Sequence, residues 1–227
     1  MIIYGKQLFL HLLERRKELI KEIYLSKECD KKLFSKIAAL ALPIVRVDNK
    51  KAQAMARGGN HQGFLALVED FVFFDVEAMK RFNNIALLYE LEDVGNIGAI
   101  IRTAYGLGLD GVIVVAKNLA IEGVVRASSG AAFEIPLALC SDGLTLLNEL
   151  KQSGFCLYAT KKGGKPHNKI VFGNKNVLIM GNEGGGMPKR AFQKCDESIG
   201  IKMRKDWNSL NVSAAFAIIC DRMMDER

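Results

Sequence analysis

Ile85-Ala-Leu-Leu-Tyr-Glu-Leu-Glu-Asp-Val-Gly-Asn-Ile-Gly-Ala-Ile-Ile-Arg102 is the stretch whose reading decides the fold. Its first five residues, Ile85–Tyr89, form an unbroken apolar run, as expected of a strand buried on both faces. Ile97, Ile100, Ile101 and Ala104 then recur at helical spacing on one arc, so a helix packs back against the strand. The acidic and Gly-Asn residues between them fall at the carboxyl end of the strand. Arg102 lies just off the edge of the apolar arc, within reach of the strand ends.

The same pattern repeats outward from this stretch. Val112–Val115, Ile135–Leu139, Phe155–Ala159 and Val177–Met180 are further continuous apolar runs, with helical segments between most of them. Such runs predict a parallel sheet covered on both faces, with ligands at the carboxyl ends of its strands. Upstream, the spacing predicts a helix over residues 5–16 and a strand over Glu22–Ser26. Next come a helix over Asp30–Leu42, capped by Asp30 and closed by Pro43, a strand Ile44–Val47, a helix Lys50–Arg57 and a strand Phe64–Val68. The pattern turns irregular between Glu69 and Asn84. The chain is therefore read as α/β throughout: a small unit over 1–72, a linker over 73–84 and a larger parallel-sheet domain over 85–227.

The chain has 227 residues, 49% hydrophobic and 25% charged, an ordinary globular composition. No apolar run approaches the ~20 residues that cross a bilayer, and the N-terminal residues lack a basic region followed by an apolar core. The expectation is a cytoplasmic protein with no membrane partner. Five scattered cysteines read as reduced thiols. The formal net charge of +7 favours an anionic partner, and residues 1–70 carry 13 Lys/Arg against 8 Asp/Glu, so the first third is the more cationic. His11, His61 and His167 are too dispersed for ligand spacing, and no metal is assigned.

Several motifs have competing readings. Gly106-Leu-Gly-Leu-Asp-Gly111 satisfies a dinucleotide-binding pattern, but it follows a helix and precedes a strand, so it reads as a helix C-cap and turn. The small residues of Val125–Pro136 permit close backbone packing. Val177-Leu-Ile-Met-Gly-Asn-Glu-Gly-Gly-Gly-Met-Pro188 is a strand, a glycine-rich turn and a helix with proline at its first position. No Lys-Ser/Thr follows the glycines, so the turn suits a neutral or zwitterionic small molecule and not a nucleoside triphosphate. Ile199-Gly-Ile-Lys-Met-Arg-Lys-Asp-Trp-Asn-Ser-Leu-Asn-Val-Ser213 runs from a strand through a basic segment into a helix. It offers Ser209, Asn211 and Ser213 where one cap would suffice. Arg102 reads equally as a surface arginine, Asn96 as a helix N-cap and Glu183 as a capping carboxylate.

Taken in order, Asp93-Val-Gly-Asn-Ile-Gly-Ala-Ile-Ile-Arg-Thr-Ala104, Leu178-Ile-Met-Gly-Asn-Glu-Gly-Gly-Gly-Met187 and Ile201 to Ser213 resemble the three motifs of the SpoU (TrmH) family of RNA ribose 2′-O-methyltransferases. The N-terminal unit, closing in Gly59-Asn-His-Gln-Gly63, resembles the ribosomal-protein-like substrate-binding domain of the rRNA-modifying members. The resemblance implies a deep trefoil knot forming an S-adenosyl-L-methionine pocket, a homodimer, and methylation of a guanosine in 23S rRNA. A tRNA substrate and a non-catalytic RNA-binding module are the alternatives. By the same resemblance, Gly181, Ile201, Met203 and Leu210 bind the cofactor and Glu183 shapes its pocket. Arg102 activates the ribose hydroxyl, with Asn96, Ser209 and Asn211 positioning it. Lys202, Arg204, Lys205 and Trp207 fit contacts to RNA phosphates and bases.

Overall fold

The computed structural model describes all residues except 183, 205–208 and 226–227. Its first part runs β1 (Ile2–Tyr4), α1 (Lys6–Arg15), β2 (Ile20–Leu25), α2 (Lys31–Ala38), β3 (Ile44–Arg46), α3 (Asn49–Met55) and β4 (Phe64–Val68). These strands form a sheet of order β1-β4-β2-β3, in which only β2 and β3 are parallel. β1 escapes a sequence reading because three residues are too few for alternation to register. It is held by antiparallel pairing with β4. Asp30 caps α2 as expected, its carboxylate accepting the Leu33 N–H at 2.9 Å. The helix ends at Ala38, earlier than Pro43 alone would require.

The segment expected to be a linker is packed. It contains α4 (Val76–Met79), whose Met79 is fully buried, and the Phe74 N–H donates to the Leu137 carbonyl at 2.8 Å. The second part continues through β5 (Asn84–Tyr89), α5 (Val94–Leu107), β6 (Gly111–Val115), α6 (Ile121–Ala127) and β7 (Leu137–Cys140). It then runs through α7 (Gly143–Gln152), β8 (Cys156–Pro166), β9 (Asn176–Gly181), α8 (Lys189–Phe192), β10 (Glu197–Gly200) and α9 (Val212–Asp225). The sheet order is β10-β8-β9-β5-β6-β7, and every pairing is parallel. β5 and β9 are buried along nearly their whole length, which is why they read as unbroken apolar runs.

Local chemistry accounts for the helix ends. Gly108, at φ 79°, terminates α5 in the left-handed conformation, so the Gly106–Gly111 pattern is the C-cap it was read to be. The small residues after α6 serve packing: a Cβ on Gly98 of α5 would lie 2.4 Å from Ala127 Cβ and 2.8 Å from the Ser128 nitrogen. One apolar cluster joins the two parts, running from α1 and β2 through Ala131 and Ala132 to α5 and α9. Beside it, Glu134 lies 3.0 Å from His11 Nε2 and 3.2 Å from Arg16 Nε, and Arg16 donates to the Phe133 carbonyl at 2.8 Å.

Candidate active site

β5 and β9 are neighbours in register, Tyr89 opposite Gly181, although α5, β6 and β7 on one side and β8 on the other intervene in sequence. Their carboxyl ends therefore meet at a switch point, where open α/β sheets place ligands. The turn after β9 is organised by Asn182, a residue the sequence reading passed over. Its Oδ1 accepts from the Gly184 N–H at 2.8 Å, its carbonyl accepts from the Gly186 N–H at 2.8 Å, and its Nδ2 donates to the Glu90 carbonyl at 2.9 Å. An asparagine inside a glycine-rich turn was the available signal, since Asx side chains bond their own backbone two residues on. Gly186 takes φ 67°, which the turn needs, and a Cβ on Gly181 would sit 2.7 Å from the Gly186 carbon. Glu90 itself is held at φ 54°. Pro188 is the N-cap of α8, one position earlier than expected.

The cap of α5 is Asp93, whose carboxylate accepts the Asn96 N–H at 2.6 Å, so Asn96 is not the N-cap. The Asn96 side chain instead bonds across to the next motif, its Oδ1 accepting from Asn211 Nδ2 at 3.0 Å. Asn211 Oδ1 in turn accepts from the Ser213 N–H at 2.9 Å and the Ser213 hydroxyl at 2.6 Å, capping α9. One side chain thus caps one helix and ties it to the first turn of another. Ser209 is exposed and Asn211 is exposed above this link.

Gly181, Ile201, Met203, Ser209, Leu210 and Asn211, six of the nine site residues expected from sequence, line one cavity of about 420 Å³. That is within the range of small-molecule sites. Met180, Ile199 and Ile219 supply further apolar lining, and Lys161 and Lys162 stand exposed at its edge. The lysines were missed because β8 continues as an irregular strand to Pro166, seven residues past the apolar run that announced it. A Cβ on Gly200 would meet the Lys161 carbonyl at 2.8 Å, so β10 closes tightly on this extension.

Arg102 is exposed on α5 and is not among the residues lining the cavity. Asn96 is tied to the cavity wall through Asn211. Glu183, Lys205 and Trp207 lie outside the described residues; Lys202 and Arg204 are exposed.

Among the groups with perturbed titration, the thiols and phenols are held in their neutral forms, whereas Asp142 is lowered by its bonds from Thr145 and stays a carboxylate. Burial pushes the Cys195 thiol up to about 11 and raises the Cys156 thiol and the Tyr89 phenol. These are inert groups, and an activated thiolate is not among them. Among the described residues, no three His, Cys, Asp or Glu side chains are grouped to hold a metal ion. The arrangement is suited to holding an uncharged or zwitterionic molecule by backbone and apolar contacts, beside a polar link to the α5 motif.

Residues 83–221 match the model of the SpoU rRNA Methylase family, and residues 2–72 match a model described as RNA 2′-O ribose methyltransferase substrate binding. YacO of Bacillus subtilis (strain 168), assigned by name to the TrmH family of tRNA/rRNA methyltransferases, is 30% identical over 232 residues, 96% of this chain and 92% of that protein. A protein of Staphylococcus aureus (strain MSSA476) with the same family assignment is 29% identical over 177 residues, 74% of this chain and 71% of its own. Among solved structures, an AdoMet-bound rRNA methyltransferase from Sinorhizobium meliloti superposes with a TM-score of 0.79 at 23% identity, covering 99% of this chain and 86% of that one. The SpoU methyltransferase AviRb from Streptomyces viridochromogenes, in complex with AdoMet, gives a TM-score of 0.80 at 20% identity over 99% and 89% of the two chains. With one family model spanning most of the chain and the three motif segments gathered at one switch point, this chain belongs to the SpoU rRNA methylase family.

Proposed function

We propose that this protein transfers a methyl group from S-adenosyl-L-methionine to a ribose 2′-hydroxyl of structured RNA, and that the acceptor is a guanosine of 23S rRNA. The observation carrying this reading is that residues of the second and third motifs line one cavity while Asn211 ties it to Asn96 of the first. The rRNA target rests on the match of residues 2–72 to a substrate-binding model and on the names of the rRNA-acting structural neighbours. The chain divides accordingly into an RNA substrate-binding unit (1–72), a connecting segment (73–84) and the methyltransferase domain (85–227).

The lining fits the cofactor. Met180, Ile199, Ile201 and Leu210 offer an apolar wall, and the Asn182–Gly186 turn offers backbone groups without a phosphate-binding lysine loop. Gly181, Ile201, Met203 and Leu210 hold the adenosine moiety and Glu183 shapes the pocket. When bound, S-adenosyl-L-methionine supplies a methyl group on a sulfonium, released by transfer as a neutral thioether. The chain's own contribution is positioning, which is worth much of the rate in such displacements. Asn96, Ser209 and Asn211 orient the ribose. Arg102 carries a guanidinium, a group that holds its proton too strongly to serve as a base. Its guanidinium instead stabilises the developing alkoxide while the hydroxyl proton passes to water.

A homodimer completes this site. Arg102 stands off its own chain's cavity, and α5 and α9 present a shallow groove lined by Thr103, Leu107 and Ile218, with Tyr105 and Ile218 exposed beside it. A deep trefoil knot belongs to the same reading: after β10, at the sheet edge, the chain returns across the sheet to pack α9 on α5 and β9. The protein acts in the cytoplasm, where rRNA is available. Incubation with methyl-labelled S-adenosyl-L-methionine and separate rRNA and tRNA pools, followed by mapping of the labelled ribose, tests the proposal. Label on a 23S guanosine 2′-oxygen is expected. Label on tRNA alone would overturn the target, and no label in either pool would overturn the methyltransferase activity.

A further inference from the structure

The first sheet's unit carries many cations, and they divide into two groups. Lys21 pairs with Glu69, Lys36 with Glu14, Arg16 with Glu134, and Arg57 with Glu122. Lys27, Arg46 and Lys6 have no carboxylate within ion-pair distance among the described residues, and all three are exposed. The nearby carboxylates Asp30 and Asp48 are engaged as helix caps on the Leu33 and Lys51 N–H groups. Glu28 makes no ion pair with these cations among the described residues. These cations are also connected. The Arg46 guanidinium donates to the Lys27 carbonyl at 3.0 Å, Lys27 packs against Gly63, and the Gln62 side chain accepts the Lys6 N–H at 3.0 Å. From there Tyr4 carries the surface to Arg126 of α6, whose guanidinium lies 4.8 Å from the ring centroid. Gly123 of the same helix packs on Val94, the first residue of α5.

At the outer end of this cationic track stands Phe34. It is 39% exposed on the outer face of α2, and the Arg46 guanidinium lies over its ring at 5.8 Å. A single exposed phenylalanine is ordinary. One carrying a guanidinium that is fixed by a backbone carbonyl and paired with no carboxylate among the described residues has the makings of a base-stacking site. A nucleobase presents a flat π face to the ring, and its phosphates meet the adjacent cations.

We propose that Phe34 and Arg46 form a platform on which an unstacked base of the substrate RNA is held, at the far end of a cationic track leading to the α5 motif. The inference rests on the reading that the protein acts on RNA, and it adds that part of the recognised RNA is single-stranded. The platform is tested by anisotropy titrations of the full chain with labelled oligoadenylate and with a blunt-ended RNA duplex, alongside methylation of the rRNA pool. Phe34→Ala should weaken oligoadenylate binding by about tenfold and leave duplex binding within about twofold, since stacking is lost base by base. Phe34→Trp should restore it. Arg46→Ala should weaken both ligands and lower the salt slope of binding by about one phosphate contact. Calorimetric affinity for S-adenosyl-L-methionine and the melting temperature should be unchanged in all three. Wild-type oligoadenylate affinity in Phe34→Ala, or no rescue by tryptophan, overturns the platform alone if the wild-type protein still methylates rRNA. A wild-type protein that neither binds nor methylates RNA overturns the platform and the functional reading together.

Discussion

Arg102 shows what a single position contributes when it stands apart from the pocket it is proposed to serve. It is exposed, and it does not line the cavity formed by Gly181, Ile201 and Leu210. Arg102→Ala should therefore lower methyl transfer by at least ~10²-fold, the cost of losing one electrostatic contact to a developing oxyanion. Its calorimetric affinity for S-adenosyl-L-methionine should stay at the wild-type value; a parallel loss of cofactor binding would place Arg102 in the pocket instead. Cys195 makes the opposite case, a reactive atom disarmed by its surroundings. With its pKa raised by burial to about 11, only about a thousandth of the thiol is ionised at pH 8. Alkylation of Cys195, followed by peptide mapping, should be slow there and accelerate about tenfold per pH unit toward pH 11. Rapid labelling at neutral pH would show that its surroundings do not hold the thiol in its neutral form.

At the scale of elements, α5 and its neighbours depend on two small features. Gly98 lets α5 approach the end of α6, and an added methyl would strike Ala127 and the Ser128 backbone. Backbone cannot rotate aside as a side chain can. Gly98→Ala should cost about 1–3 kcal/mol in urea unfolding despite the better helix propensity of alanine. Asn211 does two jobs, capping α9 and bonding Asn96. Asn211→Ala should lose about 1 kcal/mol of stability from the cap and in addition loosen the link between the two motifs. Asn211→Ser, able to cap without reaching Asn96, should recover the stability and leave methyl transfer impaired. Recovery of both would show that the link is incidental.

For the whole molecule, the contact between its two parts matters most. Residues 73–84 read as a linker in sequence, yet a shared apolar cluster and the Glu134 contacts to His11 and Arg16 hold the parts together. Glu134 is only 11% exposed, so its bonds to these groups are shielded from water. Glu134→Gln keeps the shape and removes the charge. It should cost about 1–3 kcal/mol and expose the connecting segment to limited proteolysis earlier than in the wild type. Unchanged cleavage would mean that the apolar cluster alone fixes the orientation.

Much of the fold was legible in the chain because the central strands are buried on both faces. Such strands must be apolar at every position, so Ile85–Tyr89 and Val177–Met180 announce themselves without help from any neighbour. Helix stops and caps were equally local: Gly108 and Asp30 act through their own backbones. The motif residues could be named in order, and six of them line the same cavity. What the chain could not disclose depends on which strands become neighbours. Asn182 earns its role only because β9 lies beside β5, which brings the Glu90 carbonyl within 2.9 Å of a side chain 92 residues away. Asn96 could be read locally as a cap or as a site residue, because the Asn211 amide that its side chain meets arrives from 115 residues downstream. Lys161 and Lys162 reach the cavity through an irregular extension of β8 that has no periodicity to read. Local sequence determines burial, and burial determines element type. The partners across a switch point are chosen by long-range strand order, which tertiary structure alone decides.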